Sequence, residues 1–320
     1  MNEEGTGMLI AQEIRGAIVD LQHHGHAAVC DAAGRLLWQH GDAHRVTFAR
    51  SSTKPMQALV VQQTGALHRF GITQQKLAVI CASHGGETMH TQAVAAILAK
   101  AGLNETCLQC GTHKPFSTNA TYEKLTPLHN NCSGKHAGML LAALAMDEPL
   151  HSYLDPAHPH QQRITRLIAE LCGLPVEQIV MGLDGCGAPV HALPLANFAQ
   201  GYARLPAAAP DIVQAMVAQP DMLCRPGSFT TELQRRFGDR LVCKVGASAY
   251  FAIALLDGSM GIALKIESGC MAVLPPVVLA ILLQLGVITQ AEAESLPQFY
   301  RPVLRNHKGE MVGYAQAMLS

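Results

Sequence analysis

The chain has 320 residues, 49% of them hydrophobic and 15% charged, with a net charge of −1 and an isoelectric point near 7.0. That composition supplies enough apolar side chain for one large core or two closely packed lobes, and it excludes intrinsic disorder. The Lys and Arg residues are scattered, so no basic face exists to neutralise a phosphate backbone or an anionic membrane, and nucleic acid is excluded as a partner.

The opening MNEEGTGMLI is acidic where a secretory signal would be basic, and the expectation is a cytoplasmic protein. Between Glu13 and Asp42 apolar runs at Ala17–Leu21, Ala27–Cys30 and Leu36–Trp38 are separated by His-Gly-His and Ala-Ala-Gly, which predicts antiparallel strands joined by hairpins, with His23, His24 and His26 at a surface turn. Helical periodicity follows at Lys54–Phe70, Met89–Ala101, Gln161–Leu171, Leu193–Ala203 and Ile212–Ala218. Strand character returns at Leu241–Val245, Ala249–Leu256 and Gly261–Ile266, the last two joined by an Asp-Gly turn. The apolar stretch from Met271 is interrupted by Pro275, Pro276, Gln284 and Gly286, too short to span a bilayer, and predicts a buried helix from Pro276 to Gly286. The sum is an α+β fold in which a mostly antiparallel sheet is built from both ends of the chain around a helical middle. No repeat or linker divides it, so residues 1–320 read as one catalytic unit, at most two packed lobes.

At RSSTKP, Ser51 and Lys54 are three apart at the start of a helix and share a face, whereas Ser52 does not share it. A lysine in a desolvated site can take a serine proton, and the helix start favours developing negative charge; the plain alternative is an N-cap serine. In CASHGGE, Ser83 and His84 follow the apolar run Leu77–Ile80 and enter a sharp glycine turn whose N–H groups could serve an oxyanion. In GIALKIESG, Lys265 lies with Ala263 opposite Leu264 and Ile266, either solvated or facing a site.

Ten cysteines in a chain with no export signal predict reduced thiols rather than a disulfide framework. NNCSGKHAG brings Cys132 near Lys135 and His136, and GLDGCGAP brings Asp184 near Cys186; thiolates with a carboxylate and a nitrogen suit tetrahedral zinc, and close-packed core cysteines beside glycines are the alternative. Cys107 and Cys110 form a Cys-x-x-Cys without a partner pair, which argues against a zinc knuckle or a redox centre.

In this order, RGAIVDLQHHGHAAVCD, FARSSTKPMQAL, CASHGGE, CGTHKPFS, NNCSGKHAGML, GLDGCGAP and GIALKIESG resemble the asparaginase II family, the L-asparaginases of the Rhizobium etli type, from about Glu13 to Cys270. The resemblance implies hydrolysis of L-asparagine to L-aspartate and ammonia on a fold like that of serine β-lactamases and glutaminases. It implies two Ser–Lys pairs, Ser51 with Lys54 and Ser83 with Lys265, and a zinc site of Cys132, Lys135 and Cys186, with Asp184, Arg50 and His136 beside the metal or substrate. It also implies a homodimer. Two other readings stand beside it: glutaminase or another serine amidohydrolase such as a β-lactam-directed enzyme, and a non-enzymatic zinc or thiol protein.

Overall fold

The structure is a computed structural model and describes residues 7–115 and 124–319; the acidic N-terminal residues and the end of the CGTHKPFS stretch, Phe116 and Ser117, lie outside the described residues. Its strands are β1 (Met8–Arg15), β2 (Ile18–Cys30), β3 (Leu36–His40), β4 (Val46–Phe48), β5 (Val180–Leu183), β6 (Pro189–Pro194), β7 (Leu241–Gly246), β8 (Tyr250–Leu255), β9 (Gly261–Ile266), β10 (Val303–Arg305) and β11 (Met311–Ala317). The main sheet runs β10, β11, β1, β2, β9, β8, β7, with β3 also paired to β2, and its pairings are antiparallel. Its strands come from the two ends of the chain, and helices fill the middle, as the apolar patterns predict.

Side-chain alternation along the strands makes this sheet the centre of three layers. Val242, Ala252, Ala254 and Ala263 face the helical middle, including Lys54–Gln63 and Leu195–Ala208. Cys243, Phe251, Ile253, Ile262 and Leu264 face the opposite way, against the helices Phe229–Phe237 and Leu274–Gln284. Fully burying each large apolar side chain here is worth roughly 1.5–3 kcal/mol, so both faces of the sheet stabilise the fold.

Three differences from the sequence expectation have local causes. No turn forms at His23, His24 and His26, because β2 passes straight through them. Gly25 allows β9 to lie close, since a Cβ there would sit 2.6 Å from Lys265 O, and the buried His26 accepts at Nδ1 from the Asp42 N–H at 2.9 Å, its Nε2 lying 3.3 Å from Glu267 Oε1. The predicted helix Lys54–Phe70 breaks at Gly65, whose φ of 73° is left-handed, leaving Lys54–Gln63 and Ala66–Arg69. A second, three-stranded sheet in the order β4, β6, β5 has strands too short for alternation to reveal. No helix among the described residues is long and apolar enough to cross a membrane.

Candidate active site

The helix beginning at Lys54 is preceded by a 3-10 turn, Arg50–Thr53, and Arg50 enters it with φ at 52°. A left-handed backbone at a non-glycine residue costs on the order of 1–2 kcal/mol. It is held by an ion pair from Arg50 to Asp184 at 2.7 Å and by the Thr53 hydroxyl, which donates to Arg50 O at 2.9 Å. The Ser52 hydroxyl donates to Lys244 O at 3.0 Å and is fully buried. Two of the three neighbouring hydroxyls are therefore occupied in bracing the turn, and Ser51 is the one that lines the adjoining cavity.

Lys54 is buried, and its Nζ donates to Ser83 Oγ at 3.1 Å and to Asn131 O at 3.4 Å. The amine of Lys54 thus meets Ser83 rather than forming a hydrogen bond with Ser51, its partner by spacing. Ser83 stands just past the helix Gln74–Ile80, its N–H donating to Leu223 O at 2.9 Å. A second lysine reaches the same hydroxyl: Lys244 Nζ donates to Ser83 Oγ at 2.8 Å and to Val245 O at 2.9 Å. Lys244 is fully buried, and burial together with the neighbouring Lys54 lowers its ammonium pKa to about 7. Two amines on one oxygen cannot both stay charged cheaply, and the one in the strand gives up its proton near neutrality.

Lys265, which the resemblance pairs with Ser83, is placed elsewhere. The register Gly246↔Tyr250↔Lys265 sets it two strands from β7, on the order of 10 Å, with Tyr250 between. Its amine donates to Ser248 O at 2.7 Å and to Ile266 O. Lys265 does share the Ala263 face, as alternation predicts, but Lys244 occupies the position beside Ser83. The signal for Lys244 was a single lysine inside the apolar run LVCKVG.

The glycine turn after Ser83 is fixed by His84. Gly86 N donates to His84 Nδ1 at 3.2 Å, so His84 Nε2 carries the proton toward Ser133 Oγ at 2.9 Å, and Ser133 donates to Leu128 O. Burial keeps His84 neutral, well below its ordinary pKa. The Gly86 N–H is thereby committed to the turn instead of to an oxyanion.

The two glycine-rich loops do meet. Cys132, Lys135 and Cys186 are buried together, with Lys135 Nζ 3.2 Å from Cys186 Sγ. A hydrogen bond from Cys186 holds the Cys132 thiol well below its usual pKa, aided by the Lys54 and Lys135 amines, while the same bond and burial push Cys186 up. Burial lowers Lys135, but the sulfurs of Cys186 and Cys132 and the Asp184 carboxylate outweigh it and hold the ammonium above its ordinary value. Two sulfurs and an amine converging in a buried pocket fit a thiophilic divalent ion with one position left open. Asp184 is engaged by Arg50. His136 is neutral through burial, and its Nδ1 pairs with the Tyr153 hydroxyl at 2.7 Å, a core contact.

The cavity has a volume of about 550 Å³, and its lining includes the polar Ser51, Ser83, Asn131 and Arg225 and the apolar Phe229, Phe251, Met271 and Leu274. Arg225 is a second residue missed from the sequence: a guanidinium beside two hydroxyls suits a substrate carboxylate. A buried pair of serines with one amine neutral near pH 7, opening on such a cavity, is equipped for acyl transfer from an amide.

Comparison with known proteins agrees with that chemistry. The model of the L-asparaginase II family matches residues 11–317, and the chain belongs to this family. It is accordingly an enzyme of the amidohydrolase class. Among curated proteins none matches the sequence. Similar solved structures include a β-lactamase from Mycobacterium bovis, 12% identical over 81% of this chain and 94% of that one, TM-score 0.36. A protein named Mglu in its native form is 14% identical over 82% of this chain and 64% of that one, TM-score 0.45, so this chain spans just under two thirds of its length. A candidate β-lactamase from Bacteroides dorei is 11% identical over 80% of this chain and 92% of that one, TM-score 0.39.

Proposed function

We propose that the protein is an L-asparaginase: Ser51 attacks the side-chain amide carbon of L-asparagine, and Ser83, held by Lys54 and Lys244, relays the proton. The observation that carries this reading is the meeting of both hydroxyls in one cavity with two buried amines on Ser83 Oγ at 3.1 and 2.8 Å. The Ser51 proton passes through Ser83 to the neutral Lys244 amine and returns to the leaving nitrogen as the C–N bond breaks. Ammonia departs and an aspartyl ester on Ser51 remains. Water adds to that ester, and Ser51 regains its proton as aspartate leaves.

Ser51 is preferred as nucleophile because it lies in the turn that leads into the helix Lys54–Gln63, where the dipole favours an oxyanion, whereas Ser83 stands past the C-terminal end of its helix and its N–H is given to Leu223 O. The alternative, Ser83 as nucleophile, is favoured by the amines in hydrogen-bond reach of its hydroxyl. Arg225 is assigned to the α-carboxylate of the substrate. Cys132, Lys135 and Cys186 would hold zinc, Lys135 losing its proton to bind. When bound, the ion supplies a fixed positive charge close to Lys54 and Asn131, next to the cavity.

The test is ammonia release from L-asparagine and L-glutamine, and β-lactam ring opening of a penicillin, by the wild-type chain and by Ser51→Ala. Expected are turnover of asparagine above glutamine, by roughly 10- to 200-fold for a one-methylene difference, and loss of turnover in the variant by several orders of magnitude. Equal or greater turnover of penicillin, or full activity in Ser51→Ala, would displace this reading.

A further inference from the structure

A second group of metal-ligating side chains lies outside the Ser–Lys cavity. Glu13 on β1 and His23 on β2 are diagonal neighbours, since Glu13 pairs with Leu21 and Ala11 with His23, and both therefore stand on one face of the hairpin. Glu13 Oε1 and His23 Nε2 are 3.1 Å apart, with side chains only 14% and 7% exposed. The loop after β9 brings Cys270 to the same place, so that a carboxylate oxygen, an imidazole nitrogen and a thiol sulfur all lie within 4.8 Å of one another. Glu13 and His23 share one hairpin, and Cys270 reaches them from far along the chain.

We propose that Glu13, His23 and Cys270 form a binding site for a zinc-class divalent cation, separate from the Cys132, Lys135 and Cys186 set. The donors are one each of oxygen, nitrogen and sulfur, the mixture that borderline-soft, tetrahedral ions take, with the fourth position left to water. The arrangement also has the outer support of a metal site. Ser268 Oγ lies 3.0 Å from His23 Nδ1 and accepts from the Cys270 N–H at 3.3 Å, so one hydroxyl orients two of the three ligands. Nε2 and the Glu13 carboxylate would present lone pairs to each other unless a proton or a cation lay between them. In the metal-free chain the His23 Nε2–H fills that place; when a cation binds, the imidazole proton moves to Nδ1, facing Ser268 Oγ, and the Cys270 thiol gives up its own.

The site adjoins the cavity through one residue. Met271, next to Cys270, lines the cavity, and its sulfur accepts from the Ala249 N–H at 3.2 Å. Ser248 and Ala249 are both left-handed, with φ of 58° and 55°, so this part of the wall is strained and depends on its supports. A cation clipping Cys270 to the N-terminal hairpin would fix the Met271 wall. The proposal is independent of the amidase reading and stands or falls on binding alone.

The test is titration of the intact, metal-stripped chain with Co²⁺, reading bound equivalents and the thiolate-to-cobalt charge-transfer band. His23→Gln and Cys270→Ser are expected each to lose one equivalent that Cys186→Ser retains, and Ser268→Ala to weaken that equivalent by about 10- to 100-fold. Circular dichroism identifies any variant that fails to fold. In the wild-type chain, which needs no substitution, Zn²⁺ is expected to slow alkylation of Cys270 while leaving Cys107 unprotected. Unchanged cobalt stoichiometry and affinity in folded His23→Gln and Cys270→Ser, or alkylation of Cys270 at the same rate with and without Zn²⁺, would overturn the site.

Discussion

Lys244 is the side chain on which the proposed proton traffic turns, because its amine is both in contact with Ser83 and close to neutral at physiological pH. kcat/KM should therefore rise as pH increases through about 7, where the amine becomes a free base, and Lys244→Met should lose that ascending limb and about 10²- to 10⁴-fold in rate. Stability should change with pH in the same direction. The folded pKa lies below the unfolded value of about 10.4, so the unfolded chain binds more protons between the two values and wild-type stability gains with pH across that window. At and below pH 7 the buried ammonium is a cost, and Lys244→Met should raise Tm while it removes activity. Lys265→Met should change kcat/KM less than about threefold, as for an ordinary partly exposed position. A pH–rate profile and thermal melts of both variants check these outcomes. The two lysines also mark the limit of the sequence. Each is a lone cation in an apolar strand and each projects toward the helical layer, so periodicity distinguishes neither; which of them meets Ser83 depends on sheet order and register, which are non-local. Ser51, Ser83, Cys132 and Cys186, by contrast, stand beside local signals, a helix start or a glycine turn.

At the level of elements, the site depends on how closely two helices approach. Gly134 and Gly138 put backbone against the helix Gln74–Ile80: a Cβ on Gly134 would fall 2.0 Å from Val79 O, and one on Gly138 2.7 Å from Ile80 Cγ2. This contact sets Cys132 and Lys135, at the start of Ser133–Ala145, beside the turn that carries Ser83. The glycines of NNCSGKHAG thus have a packing role, which is the close-packing alternative for that stretch, and the proposed ligands Cys132 and Lys135 stand on the same helix start. Gly134→Ala should destabilise by about 1–3 kcal/mol or more through overpacking, seen as a lower denaturant midpoint. It should also reduce activity in the remaining folded protein, because Ser83 moves with the displaced helix. Unchanged stability would mean that the helices separate at no cost and that their contact does not fix the site. The elements themselves were readable where apolar periodicity was long, as in Gln161–Leu171, and were lost where strands were three or four residues, as in β4 and β5.

Across the whole molecule, the cavity forms where segments around residues 51, 83, 131, 225, 245 to 248 and 271 converge at the β7 edge of a sheet assembled from both ends of the chain. The fold supplies rigidity from two apolar layers, one on each face of the sheet, and the proposed reaction draws on polar groups in the cavity wall. Antiparallel character and a helical middle follow from the apolar pattern; the convergence does not, because contacts between residues some 200 positions apart leave no local mark. The most direct measurement is rapid acid quench of the enzyme during turnover of L-asparagine, followed by mass mapping of its peptides. An aspartyl adduct on the peptide containing Ser51, absent in Ser51→Ala and formed more slowly when Lys244 is replaced, is the predicted result. An adduct on the Ser83 peptide, or turnover with no adduct on either serine, would contradict the assignment.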